Sequence, residues 1–225
     1  MEPKPNTRGR LIVIEGLDGS GKATQSRLLT EELIRRGLSV RQVSFPCYES
    51  DSSALIKMYL RGDFGSDPED VNAYAASAFF AVDRYASYKS DWQGFYTSGG
   101  IVIADRYTTS NAIHQCSKLP EEAWDAYLDW LFTFEYDRLG IPCPDQVIYL
   151  ASEVAVSQRL LMERYHGEDG KRDIHERDLT YLERSQRAAE YCAGKLGWTR
   201  ISCVEHDAFR RVEDIRDEIL RAIRL

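Results

Sequence analysis

One stretch, GLDGSGKAT at residues 16–24, constrains the fold more than any other part of the sequence. The apolar run RLIVIE precedes it, and the helix-period segment QSRLLTEELIRRG follows it. Gly16, Gly21 and Lys22 fit the frame G-x-x-x-x-G-K-[ST] of a phosphate-binding loop (P-loop). Such a site requires a strand before the loop and a helix after it, because loop amides and the helix N-terminus together cradle phosphate oxygens. A glycine turn that merely joins strand to helix is the alternative.

The last position of this frame is Ala23, where the pattern has a hydroxyl that completes a magnesium shell. Thr24 lies one residue further on, about 100° around the helix, and is better placed to touch an inner phosphate. Magnesium commonly keeps several waters, so a water oriented by Asp105 can take the place of the hydroxyl. We hypothesise an active site with a raised magnesium requirement, and Ala23 leaves a catalytically weak nucleotide-binding regulator as the alternative.

Strand-like apolar runs alternate with helix-period segments along the whole chain. The runs cover residues 10–15, 39–45, 100–106, 145–151 and 199–205. The helical segments lie near residues 22–36, 52–61, 69–96, 120–139, 153–165, 175–195 and 212–224. Strands buried on both faces and alternating with helices predict a three-layer α/β fold, a five-stranded parallel sheet flanked by helices. We expect one domain over residues 1–225, with a mobile, charged lid at about 164–177.

Composition excludes several classes of protein. The chain has 29 Lys+Arg against 36 Asp+Glu, a formal net charge of -7, so the surface as a whole repels nucleic acid and anionic membrane. No apolar run approaches the roughly 18 residues that a membrane helix needs, and the first residues lack an apolar signal core. The five scattered cysteines contain no C-x-x-C pair and indicate reduced thiols in a cytosol.

Two further groups of residues indicate a nucleotide site. Asp105 and Arg106, in IADRYTTSN, follow a buried strand, and ligands of open parallel sheets bind beyond the carboxyl ends of the strands. Asp105 is suited to orienting the waters around a nucleotide-bound magnesium, and Arg106 to bridging phosphates. The alternative is a structural Asp–Arg ion pair that caps the next helix. Phe80 and Arg84, in FFAVDRYASY, share a helix face and could bind a base. Taken alone, they are more simply a core phenylalanine and a surface arginine.

Together these residues identify a family resemblance that covers essentially the whole chain. The segments that carry it are EGLDGSGKATQ, SFPCY, FFAVDR, DRYTTSNAIHQ, DIHERDLTYLERSQRAAEYC and HDAFRRVEDI. In order and spacing they resemble thymidylate kinases, P-loop enzymes that transfer the γ-phosphoryl of ATP to dTMP. The resemblance implies ATP as co-substrate, Mg²⁺ as cofactor and a homodimer that uses the helix at 69–96. A deoxynucleoside kinase, which needs a carboxylate base for a hydroxyl acceptor, is the nearest alternative enzyme.

The resemblance also assigns the ATP side of the site. Lys22 and the loop amides would hold phosphates, and a flap arginine would stabilise the transferring group, because Gly19 stands where some relatives have an arginine. Of the flap cations Arg164, Lys171 and Arg172, we favour Arg172. Catalytic residues would be Lys22, Asp105, Arg106, Arg172 and Arg164. ATP contacts would be Gly16, Leu17, Asp18, Gly19, Ser20, Gly21, Lys22, Ala23, Thr24, Arg164 and Asp207. Metal contacts would be Asp105 through water, Asp18 and Glu176.

The acceptor side is assigned in the same way. Asp18 would bind the 3'-hydroxyl of dTMP, Phe80 would stack on thymine and Arg84 would reach its O4. His114 stands where relatives often have an aromatic that excludes a ribose 2'-hydroxyl, which makes discrimination between sugars an open point. The full acceptor set is Asp18, Phe45, Tyr48, Phe80, Arg84, Arg106, Ser110, Asn111, His114, Gln115 and Glu176.

Overall fold

A five-stranded parallel sheet forms the centre of the computed structural model, which describes residues 8–157 and 179–225. Its strands are β1 Arg10–Gly16, β2 Val40–Ser44, β3 Ile101–Asp105, β4 Gln146–Ala151 and β5 Thr199–Ser202. They lie in the order β2-β3-β1-β4-β5, and every neighbouring pair is parallel. The predicted α/β class with a parallel sheet is therefore confirmed.

Helices connect the strands and cover both faces of the sheet. They are α1 Lys22–Arg35, α2 Ala54–Arg61, α3 Ala73–Ser87, α4 Gln93–Thr97, α5 Thr108–Cys116, α6 Trp124–Phe132, α7 Leu179–Lys195 and α8 Val212–Ala222. Wide π-helical turns extend α3 at Tyr88–Trp92 and α6 at Thr133–Arg138. A short antiparallel hairpin, β6 Val204–Glu205 and β7 Ala208–Phe209, follows β5.

The central strand β1 has apolar side chains on both faces, which explains the nearly continuous apolar run. Leu11 and Val13 pack into an aromatic cluster around Trp92, whereas Ile12 and Ile14 pack against α1 and α8. All four side chains are fully buried. Burial of each such side chain contributes roughly 1.5–3 kcal/mol, so β1 contributes substantially to the stability of the fold.

Several predicted elements differ from the structure in extent. The segment predicted as one helix at 69–96 is divided into α3, a π turn and α4. The predicted strand at 199–205 ends at Ser202 before the hairpin. Residues 154–157 are helical, and the rest of the helix predicted at 153–165 lies outside the described residues.

Helix α5 was not predicted as an element. Its buried face carries polar side chains such as Thr109, Asn111 and Gln115, so the sequence lacks the apolar period of an amphipathic helix. Buried polar groups need partners, and Thr109 and Asn111 find theirs on neighbouring elements, at Glu15, Ser77 and Glu135.

Two expectations about side chains and membranes can be compared with the described residues. Cys47, Cys116, Cys143, Cys192 and Cys203 are all free thiols, as predicted. Among the helices in the described ranges, none combines the length and the apolar character that crossing a bilayer requires.

Close packing around Gly9, just before β1, generates a stability prediction. A Cβ at this position would lie 2.0 Å from the Gly100 carbonyl oxygen and 2.6 Å from that of Tyr96. Gly9→Ala should therefore lower the free energy of unfolding by about 1–3 kcal/mol. Gly94→Ala is the matched control, since its Cβ meets nothing within 4 Å on a helix and should stabilise by roughly 0.5–1 kcal/mol. Urea unfolding curves measure both; equal effects of the two substitutions would contradict the packing argument.

Candidate active site

The P-loop connects β1 to α1 at the carboxyl edge of the sheet. Gly16 has φ +157, and a Cβ there would lie 2.5 Å from Ser20 Oγ and 2.8 Å from the Leu150 carbonyl oxygen. Gly21 adopts a left-handed conformation at the N-cap of α1, with φ 88. Both positions therefore require glycine, and the loop backbone can lie close to an anion.

Lys22, the first residue of α1, folds back over this loop. Its Nζ donates a hydrogen bond of 2.8 Å to the Leu17 carbonyl oxygen and lies 3.9 Å from Asp18 Oδ1. Burial and the positive charge of Arg106 lower the pKa of Lys22. An anion bound in the loop would offset both effects, because opposite charge favours the protonated ammonium.

Arg106 faces the same loop from the end of β3. Strands β1 and β3 pair with Ile14 beside Asp105, and the Arg106 amide donates to the Ile14 carbonyl at 3.1 Å. Arg106 is one of the few non-glycine residues with positive φ, at 66, a conformation that is often found in functional sites. Its guanidinium donates to Asp18 Oδ1 and thereby meets the P-loop. Burial opposes the charge, but Asp18 and Glu15 hold the pKa of Arg106 above its ordinary value.

A fully buried carboxylate, Glu15, joins the P-loop strand to α5. It accepts hydrogen bonds from Thr109 Oγ1 at 2.6 Å, from Ser110 Oγ at 2.8 Å and from the Gly16 amide at 2.9 Å. Arg106 Nη1 lies 3.7 Å from it. Glu15 therefore fixes α5 relative to the loop and places a negative charge behind Arg106.

His114 connects Arg106 to the first turn of α7. Its Nε2 lies 3.3 Å from Arg106 Nη1, and its Nδ1 lies 3.3 Å from the Tyr181 hydroxyl. Since an arginine can only donate, Nε2 must accept, and the ring proton is on Nδ1. Burial, followed by the charge of Arg106, lowers the pKa of His114 to about 3. The imidazole is therefore neutral at physiological pH.

A second buried ion pair lies between α3 and the π turn that follows α6. Arg84 donates to Glu135 through Nε at 2.7 Å and Nη2 at 2.6 Å, and both side chains are almost fully buried. Burial alone would lower the pKa of Arg84, but Glu135 outweighs it and holds the pKa above its ordinary value. Asn111 Nδ2 also donates to Glu135, at 3.2 Å. The alternative interpretation of Arg84 as a surface residue is thus wrong.

Comparison with known proteins decides the family. A family model described as thymidylate kinase matches residues 14–219. The chain belongs to the thymidylate kinase family. It is 34% identical over 194 residues to the thymidylate kinase of Mycobacterium tuberculosis, covering 84% of this chain and 87% of that protein. It is 30% identical over 216 residues to the Schizosaccharomyces pombe enzyme, covering 95% and 90%.

A solved structure of thymidylate kinase from Candida albicans has the same fold. The match has a TM-score of 0.65 at 20% identity and covers 95% of this chain and 90% of that one. The predicted thymidylate kinase resemblance, P-loop fold and enzyme class are therefore confirmed.

The remaining predicted site residues of this thymidylate kinase family member lie in different environments. Tyr48 is half exposed, and Phe80 is partly buried with its ring 6.4 Å from Tyr59 in a T-shaped pair. The Phe45 ring packs in the core against Tyr107, away from the surface. Ala23 and Thr24 are exposed at the start of α1, whereas Asp207 lies in the turn between β6 and β7.

Gln115 on α5 is fully buried. Within the described part of the chain, neither its amide nitrogen nor its amide oxygen has a hydrogen-bond partner. An unpaired buried amide is a candidate ligand contact, because burial without partners is unfavourable. Gln115 therefore stays a predicted substrate contact.

Four predicted residues, Arg164, Lys171, Arg172 and Glu176, lie outside the described residues, as does the predicted lid at 164–177. In the described ranges, no cluster of three or more His, Cys, Asp or Glu side chains could hold a metal ion.

Sequence reasoning missed three residues of the site, namely Glu15, Glu135 and Tyr181. A carboxylate inside an apolar run was the available signal for the first two, in RLIVIE and in FTFEYDR. Tyr181 gave no signal, because its role depends on α7 packing against α5.

The buried, neutral His114 generates a pH prediction. Its folded pKa of about 3 lies below the ordinary value of 6.5, so unfolding takes up a proton between those pH values. This contribution to stability is fully present above about pH 6.5 and is lost as the pH falls toward 3, by up to about 1.4 kcal/mol per pH unit. Denaturant unfolding at a series of pH values should show a shallower acid slope for His114→Gln. The exposed His206→Asn is the control; an unchanged slope in His114→Gln would contradict the assignment.

Proposed function

We propose that this chain transfers the γ-phosphoryl group of ATP to dTMP, giving dTDP and ADP. One observation carries the proposal: the cations of Lys22 and Arg106 lie at one edge of the sheet, with Asp18 in contact with both. Two anionic substrates can meet there only because fixed cations offset their repulsion. The buried polar groups of α3 and α5 lie next to these cations and suit a nucleobase.

On the donor side, the P-loop amides and Lys22 would hold the ATP phosphates. Lys22 now donates to the Leu17 carbonyl, and Arg106 is paired with Asp18. We propose that bound phosphates take over these cations, which frees Asp18 to accept from the 3'-hydroxyl of dTMP.

On the acceptor side, the dTMP phosphate would itself be the nucleophile. One of its oxygens attacks the γ-phosphorus, and the bond from this phosphorus to the β–γ bridging oxygen breaks, leaving ADP. The second pKa of a phosphate monoester is about 6, so the attacking group is already ionised and no strong general base is needed. Positioning and charge stabilisation then supply the catalysis. Arg84 and Asn111 would bind the thymine edge, with Phe80, Tyr48, Ser110 and Gln115 around the nucleotide.

We propose that Mg²⁺ arrives with ATP rather than residing in the protein. Two described carboxylates of the predicted metal set, Asp18 and Asp105, lie near Lys22. Magnesium typically uses one or two carboxylates together with substrate phosphates and water. Bound in this way, it would neutralise charge that develops on the phosphates. Whether Glu176 contributes, and whether Arg172 or Arg164 stabilises the transferring group, stay predictions from the resemblance.

We further propose a single-domain cytoplasmic enzyme that forms a homodimer through α3. Tyr74, Val82 and Tyr85 are 44%, 52% and 40% exposed, and their spacing places them along one side of the helix. An exposed apolar strip of this kind favours a protein contact.

The acceptor specificity can be measured with a panel of thymidine, dTMP and other monophosphates, each with ATP and magnesium, by ADP release. We expect turnover with dTMP and none with thymidine, whose hydroxyl would need a general base. Lys22→Met should lower kcat by at least about 100-fold, because it removes a charge that stabilises the transition state. Turnover with thymidine would instead support a deoxynucleoside kinase, and tight ATP binding without turnover would support a regulator.

A magnesium titration examines the consequence of Ala23. Ala23→Thr supplies the missing hydroxyl, so half-maximal activity should need about two- to tenfold less magnesium, with little change in the KM for dTMP. Thr24→Ala, one residue on, is the matched comparison: it removes an expected phosphate contact, so it should raise the KM for ATP without shifting the magnesium dependence at saturating ATP. If Ala23→Thr leaves the titration curve unchanged, the position is irrelevant to metal use.

A further inference from the structure

The Glu135 carboxylate is the shared partner of Arg84 and Asn111. One of its oxygens, Oε1, accepts from Arg84 Nη2 at 2.6 Å and from Asn111 Nδ2 at 3.2 Å. The other, Oε2, accepts from Arg84 Nε at 2.7 Å. Glu135 is fully buried, so no water competes for these bonds. The two side chains proposed to bind the base are therefore held side by side by one carboxylate.

This arrangement fixes which way the Asn111 amide points. Nδ2 also donates to the Ser77 carbonyl oxygen, at 3.2 Å. A carboxylate and a carbonyl can only accept, so the amino group of Asn111 must face both of them. In the described part of the chain, Asn111 Oδ1 has no hydrogen bond and is left as an acceptor for a ligand.

The same carboxylate determines which donor of Arg84 is left. Nε and Nη2 are directed to Glu135, whereas the one contact of Nη1 among the described residues is a long one of 3.4 Å to the Tyr107 carbonyl oxygen. Arg84 therefore retains a donor, on a side chain that shares the acceptor Glu135 Oε1 with Asn111. This pair matches a pyrimidine edge with a protonated N3 and a 4-keto oxygen, as in thymine and uracil. It does not match cytosine, which has a bare N3 and a 4-amino group.

We infer that Glu135 is a positioning residue that sets selectivity for 4-keto over 4-amino pyrimidine monophosphates, by fixing the Asn111 amide and the Arg84 fork. The inference rests on the proposed function, in which these two side chains bind the base. Glu135 touches no substrate and acts through its two partners. Selectivity for the 5-methyl group is outside its reach, because thymine and uracil share the edge in question.

The test is the isosteric substitution Glu135→Gln, which replaces one carboxylate oxygen, an acceptor, with an amide NH₂ group, a donor. The amino group of Asn111 then keeps the Ser77 carbonyl as its only obligate acceptor, so its orientation is less firmly fixed and its donor can turn to a cytosine N3 at a lower cost. We expect the ratio of kcat/KM for dTMP to that for dCMP to fall by about tenfold or more. The ratio of dTMP to dUMP should not change. A purely structural role would lower all three activities together.

Asp83→Asn is the matched control. Asp83 is also buried on α3, but it accepts from the Cys47 amide at 2.8 Å and from Ser52 Oγ at 2.6 Å. This variant should lose stability without a change in the dTMP to dCMP ratio. Asn111→Ala should reduce the effect of Glu135→Gln on the ratio when the two are combined, leaving only the part that Glu135 exerts through Arg84.

Glu135→Asp is a second variant that tests the same inference if Glu135→Gln fails to fold. It retains the charge that Arg84 needs, but withdraws the carboxylate by one methylene, so the dTMP to dCMP ratio should fall by a smaller factor. Calorimetric binding of dTMP and dCMP gives the same ratio without turnover. An unchanged ratio in a folded Glu135 variant, or an equal shift for dUMP and dCMP, overturns the inference. Absence of dTMP turnover in the unaltered protein would overturn the proposed function instead.

Discussion

The buried Glu15 carboxylate is the interaction on which the rest of the site depends. It lies at the end of the central strand, where a charge without partners would be strongly unfavourable. Hydrogen bonds from Thr109, Ser110 and the Gly16 amide satisfy it, and these donors belong to α5 and to the P-loop. Because the carboxylate must keep these hydrogen bonds, it fixes the position of α5 relative to the P-loop. The proposed phosphate and nucleobase contacts are thereby held in register.

The protein's own carboxylates offset the cationic charge in the site. Lys22 and Arg106 are both close to Asp18, and Arg106 also faces Glu15. An incoming anion therefore competes with internal carboxylates rather than meeting bare cations. This competition lowers the free energy gained on binding any single phosphate. The same carboxylates stabilise the fold, because they offset the repulsion between the two neighbouring cations. The left-handed backbone at Arg106 is consistent with such a site, since strained residues persist where surrounding contacts determine them.

Much of the fold could be predicted from the sequence, and less of the site. The P-loop and the sheet could be predicted because their signals are local. Glycines at 16 and 21 meet the backbone requirements of the loop, and the apolar runs indicate buried strands. Helix α5 was missed because its buried face is polar, which removes the usual period. Glu135 was missed because its partners, Arg84 and Asn111, lie 51 and 24 residues away along the chain. Only packing of α3, α5 and the turn after α6 brings these groups together. The lid cations lie outside the described residues, so their roles rest on resemblance.

The contact between Tyr181 and His114 has a mechanical consequence. Tyr181 is in the first turn of α7, and its hydroxyl lies 3.3 Å from the imidazole Nδ1 and donates to the His114 carbonyl at 3.2 Å. The other imidazole nitrogen is bonded to Arg106. One uncharged aromatic ring thus links Tyr181 of α7 to the Arg106 guanidinium. A lysine or glutamine in place of this histidine would have more rotatable bonds than the imidazole, so the position of the guanidinium relative to α7 would be less narrowly defined.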